Sequence, residues 1–119
     1  MQKWFLLLFI FILILINGYT NAGQWKTFTV ADGLVGPDIT AIYQDNLGNL
    51  WFGTRNGGVS LFDGESFHSF TRQSGLVNGR IAKILEDKQG GLWFMIMHRT
   101  DPQRPPNFRE EGLIFKYDG

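Results

Sequence analysis

Asp45 and Asp87 are carboxylates with matching surroundings, and a pair of carboxylates is the minimum equipment for general acid–base chemistry. Asp45 opens the run Asp45-Asn-Leu-Gly48-Asn-Leu50-Trp51-Phe52. Asp87 opens Asp87-Lys-Gln-Gly90-Gly-Leu92-Trp93-Phe94, 42 residues later. Because they occupy one place in successive copies of a pattern, the spacing of the copies holds them apart. Each is instead expected to accept backbone N–H groups and close its own turn, together with Gly48 and Gly90. A calcium loop needs alternating oxygen ligands, which Asp45-Asn-Leu-Gly48-Asn lacks. His68 and His98 stand without a second ligand at metal spacing, so no metal is expected. There is no Ser-His-Asp signature, nucleotide loop or phosphate cradle, so no cofactor and no catalysis by this segment are expected.

Trp51 and Trp93 offer flat rings that could stack on sugars. Their fixed register in the repeat argues more strongly for packing, since each repeated unit must bury its face against the next. Arginines are the other candidate binders, because a guanidinium presents planar donors to carboxylate or sulfate groups. Arg99, Arg104 and Arg109 cluster in one stretch with His98 and Phe108.

The elements that position these residues follow from the repeat. Phe28, Gly33-Leu34, Ile39 and Ile42 recur as Phe70, Gly75-Leu76, Ile81 and Ile84, all 42 residues on. The stretch Gly58 to Gly64 returns as Gly112 to Gly119, and at its end, where Phe62-Asp63-Gly64 becomes Tyr117-Asp118-Gly119, the offset has grown to 55, so the second copy carries 13 extra residues. Each period holds short, apolar or alternating segments: 39–44, 50–54, 59–62 and 66–70 in the first copy, then 81–85, the Trp93 strand and 113–117 in the second. Asp63-Gly64 is a hairpin dipeptide. A period near this length filled with aromatic strands predicts an all-β chain of β-propeller blades, about two four-stranded antiparallel units with the second incomplete. Blade 1 is expected over about 39–70 and blade 2 over about 81–119. Residues 25–30 read as a lone outer strand. The repeat stops one strand short at Gly119, so the expectation is an N-terminal fragment of a longer protein.

Composition sets the outer limits. The 119 residues carry 11 basic and 11 acidic side chains with no basic run, which disfavours a nucleic-acid partner. Absence of Cys excludes disulfides and thiolate metal sites. Trp4 to Ile16 is an unbroken apolar run of 13 residues. A membrane span needs about 20. The short run, followed by small and polar residues up to Ala22, predicts a signal peptide over 1–22, a helix ahead of the propeller at 23–119.

Asp45-x-x-Gly48-x-Leu50-Trp51-Phe52-Gly53-Thr54, followed by Gly57-Gly58-Val59 and Phe62-Asp63-Gly64, resembles the two-component regulator propeller repeat. The second copy departs after Phe94, with Met95-Ile96 in place of Gly53-Thr54. The resemblance implies a periplasmic, membrane-tethered sensor in which strings of blades precede a membrane span and a signalling module such as a histidine kinase. It also implies a glycan-derived ligand.

The 13 extra residues fall between the second and third strands of blade 2, roughly Met97 to Glu111, where blade 1 has only Arg55-Asn56-Gly57. In a propeller that link opens on the same face as the connection between one blade and the next. Residues 32–38, Arg55, Asn56, 73–80 and the insertion should therefore share a face, and loops on a rigid scaffold are where binding residues concentrate. The expected ligand-binding set is Arg55, Asn56, His98, Arg99, Arg104, Phe108 and Arg109, with an oligosaccharide as ligand. The expected protein partners are the remaining blades and a downstream signalling module, with a homodimer through the insertion as a further contact. The alternative is a secreted propeller that binds or degrades polysaccharide without a signalling module.

Overall fold

A computed structural model describes residues 3, 23–76, 78–98 and 111–119. The expected signal helix over 1–22 lies outside the described residues, apart from Lys3. So do Arg99, Arg104, Phe108 and Arg109 of the insertion.

Among the described residues, seven strands form two antiparallel sheets. The first sheet has β1 (Ile39–Gln44), β2 (Leu50–Thr54), β3 (Val59–Phe62) and β4 (Phe67–Phe70), in sequence order. The second has β5 (Arg80–Glu86), β6 (Leu92–His98) and β7 (Glu111–Tyr117), again in sequence order. This is the expected all-β architecture of one four-stranded and one three-stranded blade. The 42-residue offset holds in three dimensions. Ala41 pairs with Gly53 and Lys83 with Met95, and the register slips at Ile39/Ala41 and again at Ile81/Lys83. The 55-residue offset holds too, because Trp51 pairs with Leu61 and Trp93 with Lys116.

The expected strand over 25–30 does not form. Residues 23–29 have no regular structure, and Val30–Asp32 is a single 3-10 turn. A strand needs a neighbour to hydrogen-bond, and no sheet edge accepts this segment. Trp25 is fully exposed. Phe28 is held by its ring alone, against Phe62 at 5.2 Å and Phe67 at 5.4 Å between centroids. The turn that replaces the strand is capped from both sides. Thr29 Oγ1 accepts from Ala31 N, and the Asp32 carboxylate accepts from Thr29 N at 2.7 Å. A second 3-10 turn, Arg72–Ser74, stands 42 residues on, where Ser74 Oγ accepts from Thr71 N at 3.4 Å in the place of the Asp32 carboxylate.

The core lies between the sheets. Trp51, Val59, Ile81, Ile84, Leu92, Phe94 and Ile96 form one buried cluster, with Phe70 and Phe115 packed at its rim. Trp51 is 4% exposed and touches Phe70, Phe94 and Tyr117, with ring centroids 5.6 to 5.9 Å apart. Two bonds tie the blades beside this apolar contact. Thr40 Oγ1 donates to the Ile81 carbonyl at 2.7 Å, and Asn46 N donates to Glu86 Oε2 at 2.9 Å.

Candidate ligand-binding face

Each blade has two ends, and they are built differently. At one end sits the Asp turn. Asp45 Oδ1 accepts from Leu47 N at 3.0 Å and Asn49 N at 2.9 Å, while Oδ2 accepts from Asn49 Nδ2 and from the Trp51 indole N–H at 2.9 Å. Asp87 repeats this with Gln89 N, Gly91 N and the Trp93 indole at 2.8 Å. Gly48 and Gly90 take the positive φ, 86° in both, that lets the chain double back. Partial burial pushes the Asp45 carboxyl up, but donation by Trp51, Asn49 and Leu47 outweighs it and leaves the group below its ordinary value. Asp87 is likewise lowered, first by the Trp93 indole and then by the Gly91 amide. Both carboxylates are occupied as turn acceptors.

The Asp63 turn brings a hydroxyl, an imidazole and a carboxylate together. Asp63 Oδ2 lies 3.0 Å from His68 Nε2, and Ser66 Oγ lies 3.3 Å from the same nitrogen. A nucleophilic relay needs the acid on one ring nitrogen and the hydroxyl on the other. Here both meet Nε2, so the cluster is a hairpin cap. The amides of Ser66 and Glu65, in that order, hold the Asp63 carboxyl far below its ordinary value.

The opposite end of blade 1 carries a cleft of about 820 Å³. Its walls are the loop before β1 (Val35 to Asp38), the β2–β3 hairpin (Arg55 to Gly58), the second 3-10 turn (Arg72, Gln73) and Asn78. Two buried hydroxyls build these walls. Ser60 Oγ, on β3, accepts from Val35 N at 2.8 Å and pins the first loop. Thr54 Oγ1, at the end of β2, donates to the Gly58 carbonyl and accepts from Gly58 N, so it closes the hairpin. Gly57 lets the hairpin approach the inter-blade loop. A Cβ there would lie 2.8 Å from Gly79 N and 2.9 Å from Asn78 Cα.

Arg55 and Asn56 both line this cleft, together with Arg72, Gln73 and Asn78. The Arg55 backbone is fixed, since its N–H donates to the Asp38 carbonyl at 3.0 Å. Its guanidinium is only loosely paired, Nε to Asp38 Oδ2 at 4.0 Å with both side chains more than half exposed. Such a pair contributes little in water and leaves most of the donors available. His98 stands behind Asn78, and the 2.6 Å contact between its Nδ1 and the Asn78 carbonyl requires Nδ1 to be the donor. Its Nε2 is then the acceptor in the neutral ring.

Thr54, Ser60 and Arg72 escaped the sequence reading as site residues. Thr54 had a local signal, the Gly53-Thr54 pair of the motif. Ser60 had none, because its partner is 25 residues away. Blade 2 lacks both hydroxyls. Ile96 stands in the place of Thr54 and Phe115 in the place of Ser60, so the 13-residue insertion arises where the hairpin clamp is missing.

The two component regulator propeller family model matches residues 33–56. That span runs from the end of the first 3-10 turn through the Asp45 turn to Asn56 in the cleft. Over that span the chain is similar to a two component regulator propeller repeat. A relative, Histidine kinase P4 of Formosa agariphila, is 39% identical over 61 residues, which is 51% of this chain and 4% of that kinase. The matched segment thus spans a small fraction of that kinase's length. No solved structure matches the chain.

Proposed function

We propose that the two blades belong to the ligand-sensing propeller of a two-component system, exported and tethered at the membrane, with its ligand a glycan fragment held over the cleft of blade 1. The observation that carries this reading is the convergence of Arg55, Asn56, Arg72, Gln73 and Asn78 on one cleft at the loop end of the blades. Guanidinium and amide donors at fixed positions suit the hydroxyl and carboxylate oxygens of an acidic sugar. The repeat match and the similarity to a histidine kinase support the signalling half of the proposal. The apolar run at Trp4 to Ile16 supports export.

The test is an NMR titration of the chain with a uronic-acid tetrasaccharide and, separately, a neutral one. Resonances of Arg55, Asn56, Arg72 and Asn78 should move with the acidic sugar and stay still when Arg55 is replaced by Ala. Shifts that are absent for both sugars, or unchanged in the Arg55→Ala chain, would overturn the reading. Cleavage of either sugar during the titration would favour a polysaccharide-degrading propeller instead.

A further inference from the structure

The two blades present matching faces with different chemistry. Blade 1 turns Ala41, Tyr43, Trp51, Gly53, Val59 and Leu61 toward blade 2, and blade 2 covers them. Applying the 42- and 55-residue offsets, the same positions in blade 2 are Lys83, Leu85, Trp93, Met95, Ile114 and Lys116. No described residue covers this second face. Ile114 is 67% exposed and Met95 41%. It differs from the covered face at the points that decide fit.

The first point is steric. In the covered contact, Ile81 of the inner strand β5 presses on Gly53, and a Cβ added there would lie 2.6 Å from Ile81 Cβ and nearer still to its Cγ2. Close approach of the two blades therefore depends on glycine. Blade 2 puts Met95 at that position. A sheet arriving as blade 2 arrives on blade 1, with an isoleucine in the place of Ile81, would meet the methionine. Blade 1 has such an isoleucine, Ile39, at the matching position, so a second copy of this chain seated in the same register would bring Ile39 against Met95 where Ile81 meets Gly53.

The second point is charge. Ala41 and Leu61 are neutral, whereas Lys83 and Lys116 are not. Lys116 is satisfied from within, with Nζ 2.8 Å from Asp118 and 3.8 Å from Asp87, and it lies over the Trp93 ring at 5.5 Å. Lys83 is exposed and has no carboxylate partner among the described residues. Covering it without a counter-charge would strip its water with nothing in return.

We infer that the outer face of blade 2 docks a β-sheet blade unlike the two described, one with a small side chain where Ile81 stands in blade 2 and a carboxylate that reaches Lys83. The occupant is a blade because the contact between blades 1 and 2 already shows how this Trp-centred surface is covered. It is an unlike blade because Met95 and Lys83 exclude a repeat of that contact.

The test transfers the features of the open face to the covered one, in the full chain, and reads amide exchange at Ile81 and Ile84. Gly53→Met should raise exchange on the order of tenfold as the blades part, and adding Ile81→Ala should return it toward the starting rate. Ala41→Lys should loosen the same contact at neutral pH and recover above about pH 10.5, where the amine is neutral. Wild-type exchange in Gly53→Met would overturn the inference, because methionine would then be no barrier. Failure of Ile81→Ala to restore the packing would remove the small-residue requirement, and a loss in Ala41→Lys that persists at high pH would remove the carboxylate. Sedimentation supplies a separate check. Self-association of the unaltered chain that disappears with Trp93→Asp would show a second copy on this face and would also overturn it.

Discussion

The indole N–H of Trp51 donates to the carboxylate of Asp45 at 2.9 Å, across six positions of chain. The ring that fills the gap between the blades is therefore oriented by the turn that starts its own strand. Trp93 and Asp87 repeat the relationship at 2.8 Å although, among the described residues, the ring of Trp93 meets no third sheet. The bond belongs to the repeat, and burial is added only where a neighbour arrives.

Replacing Trp51 by Phe keeps most of the ring and removes the donor. A hydrogen bond to a charged acceptor is worth about 1.5–3 kcal/mol, and partial exposure of Asp45 places the expected loss near the lower end. Trp51→Phe, Asp45→Asn and the double variant, compared in urea, form a cycle. A coupling energy near zero would mean that the carboxylate does not orient the ring.

Truncating the two tryptophans should separate burial from bonding. Trp51→Ala removes a side chain that is packed against Phe70, Phe94 and Tyr117, and should cost about 3–5 kcal/mol. Trp93→Ala removes a half-buried ring and should cost clearly less. Equal midpoints for the two variants would contradict the packing described.

Acid should unfold the chain through the same turns. The carboxyls of Asp45 and Asp87 are lowered from a reference of 3.8 in the fold. A depressed folded value contributes stability above the reference value, and that contribution is lost as pH falls through the folded value. Denaturation midpoints should hold level down to about pH 5 and drop below about pH 4, with a smaller drop in Asp45→Asn. A drop of the same size in that variant would place the acid sensitivity elsewhere.

Gly57→Ala should disturb the cleft and leave the Asp turns intact. The residue has φ of 82°, and a Cβ would crowd Gly79 N and Asn78 Cα. A loss of about 1–2 kcal/mol is expected, with shifts at Asn78 and His98 in NMR spectra and none at Trp51 or Trp93 indole protons. Undisturbed Asn78 resonances would show that the hairpin does not depend on this approach.

The strands were legible because aromatic and alternating residues recur between turn residues, and a twice-written pattern corrects local ambiguity. Residues 25–30 misled for the same reason. Trp-Lys-Thr-Phe-Thr-Val has the composition of a strand, yet strand formation depends on a partner edge that the segment itself does not encode. The capped 3-10 turns at Val30–Asp32 and Arg72–Ser74 are written in short polar residues that read equally well as loop. At the cleft, Arg55 and Asn56 could be found from the hairpin's position in the repeat. Ser60 could not, since a serine alternating within a strand gives no sign that its hydroxyl will hold a loop 25 residues earlier.

The Asp turns and the cleft lie at opposite ends of the same strands. The hydrogen bonds that Asp45 and Asp87 accept from their own hairpins close within six residues, so each turn can form early without waiting for distant chain. At the other end of blade 2, Ile96 and Phe115 stand where blade 1 has Thr54 and Ser60, and β6 leads into the 13 added residues. One end of each unit acts as a self-contained folding seed, and the other is left free to change in length and content. A propeller assembled this way can lengthen and rewrite its loops without renegotiating how its sheets fold.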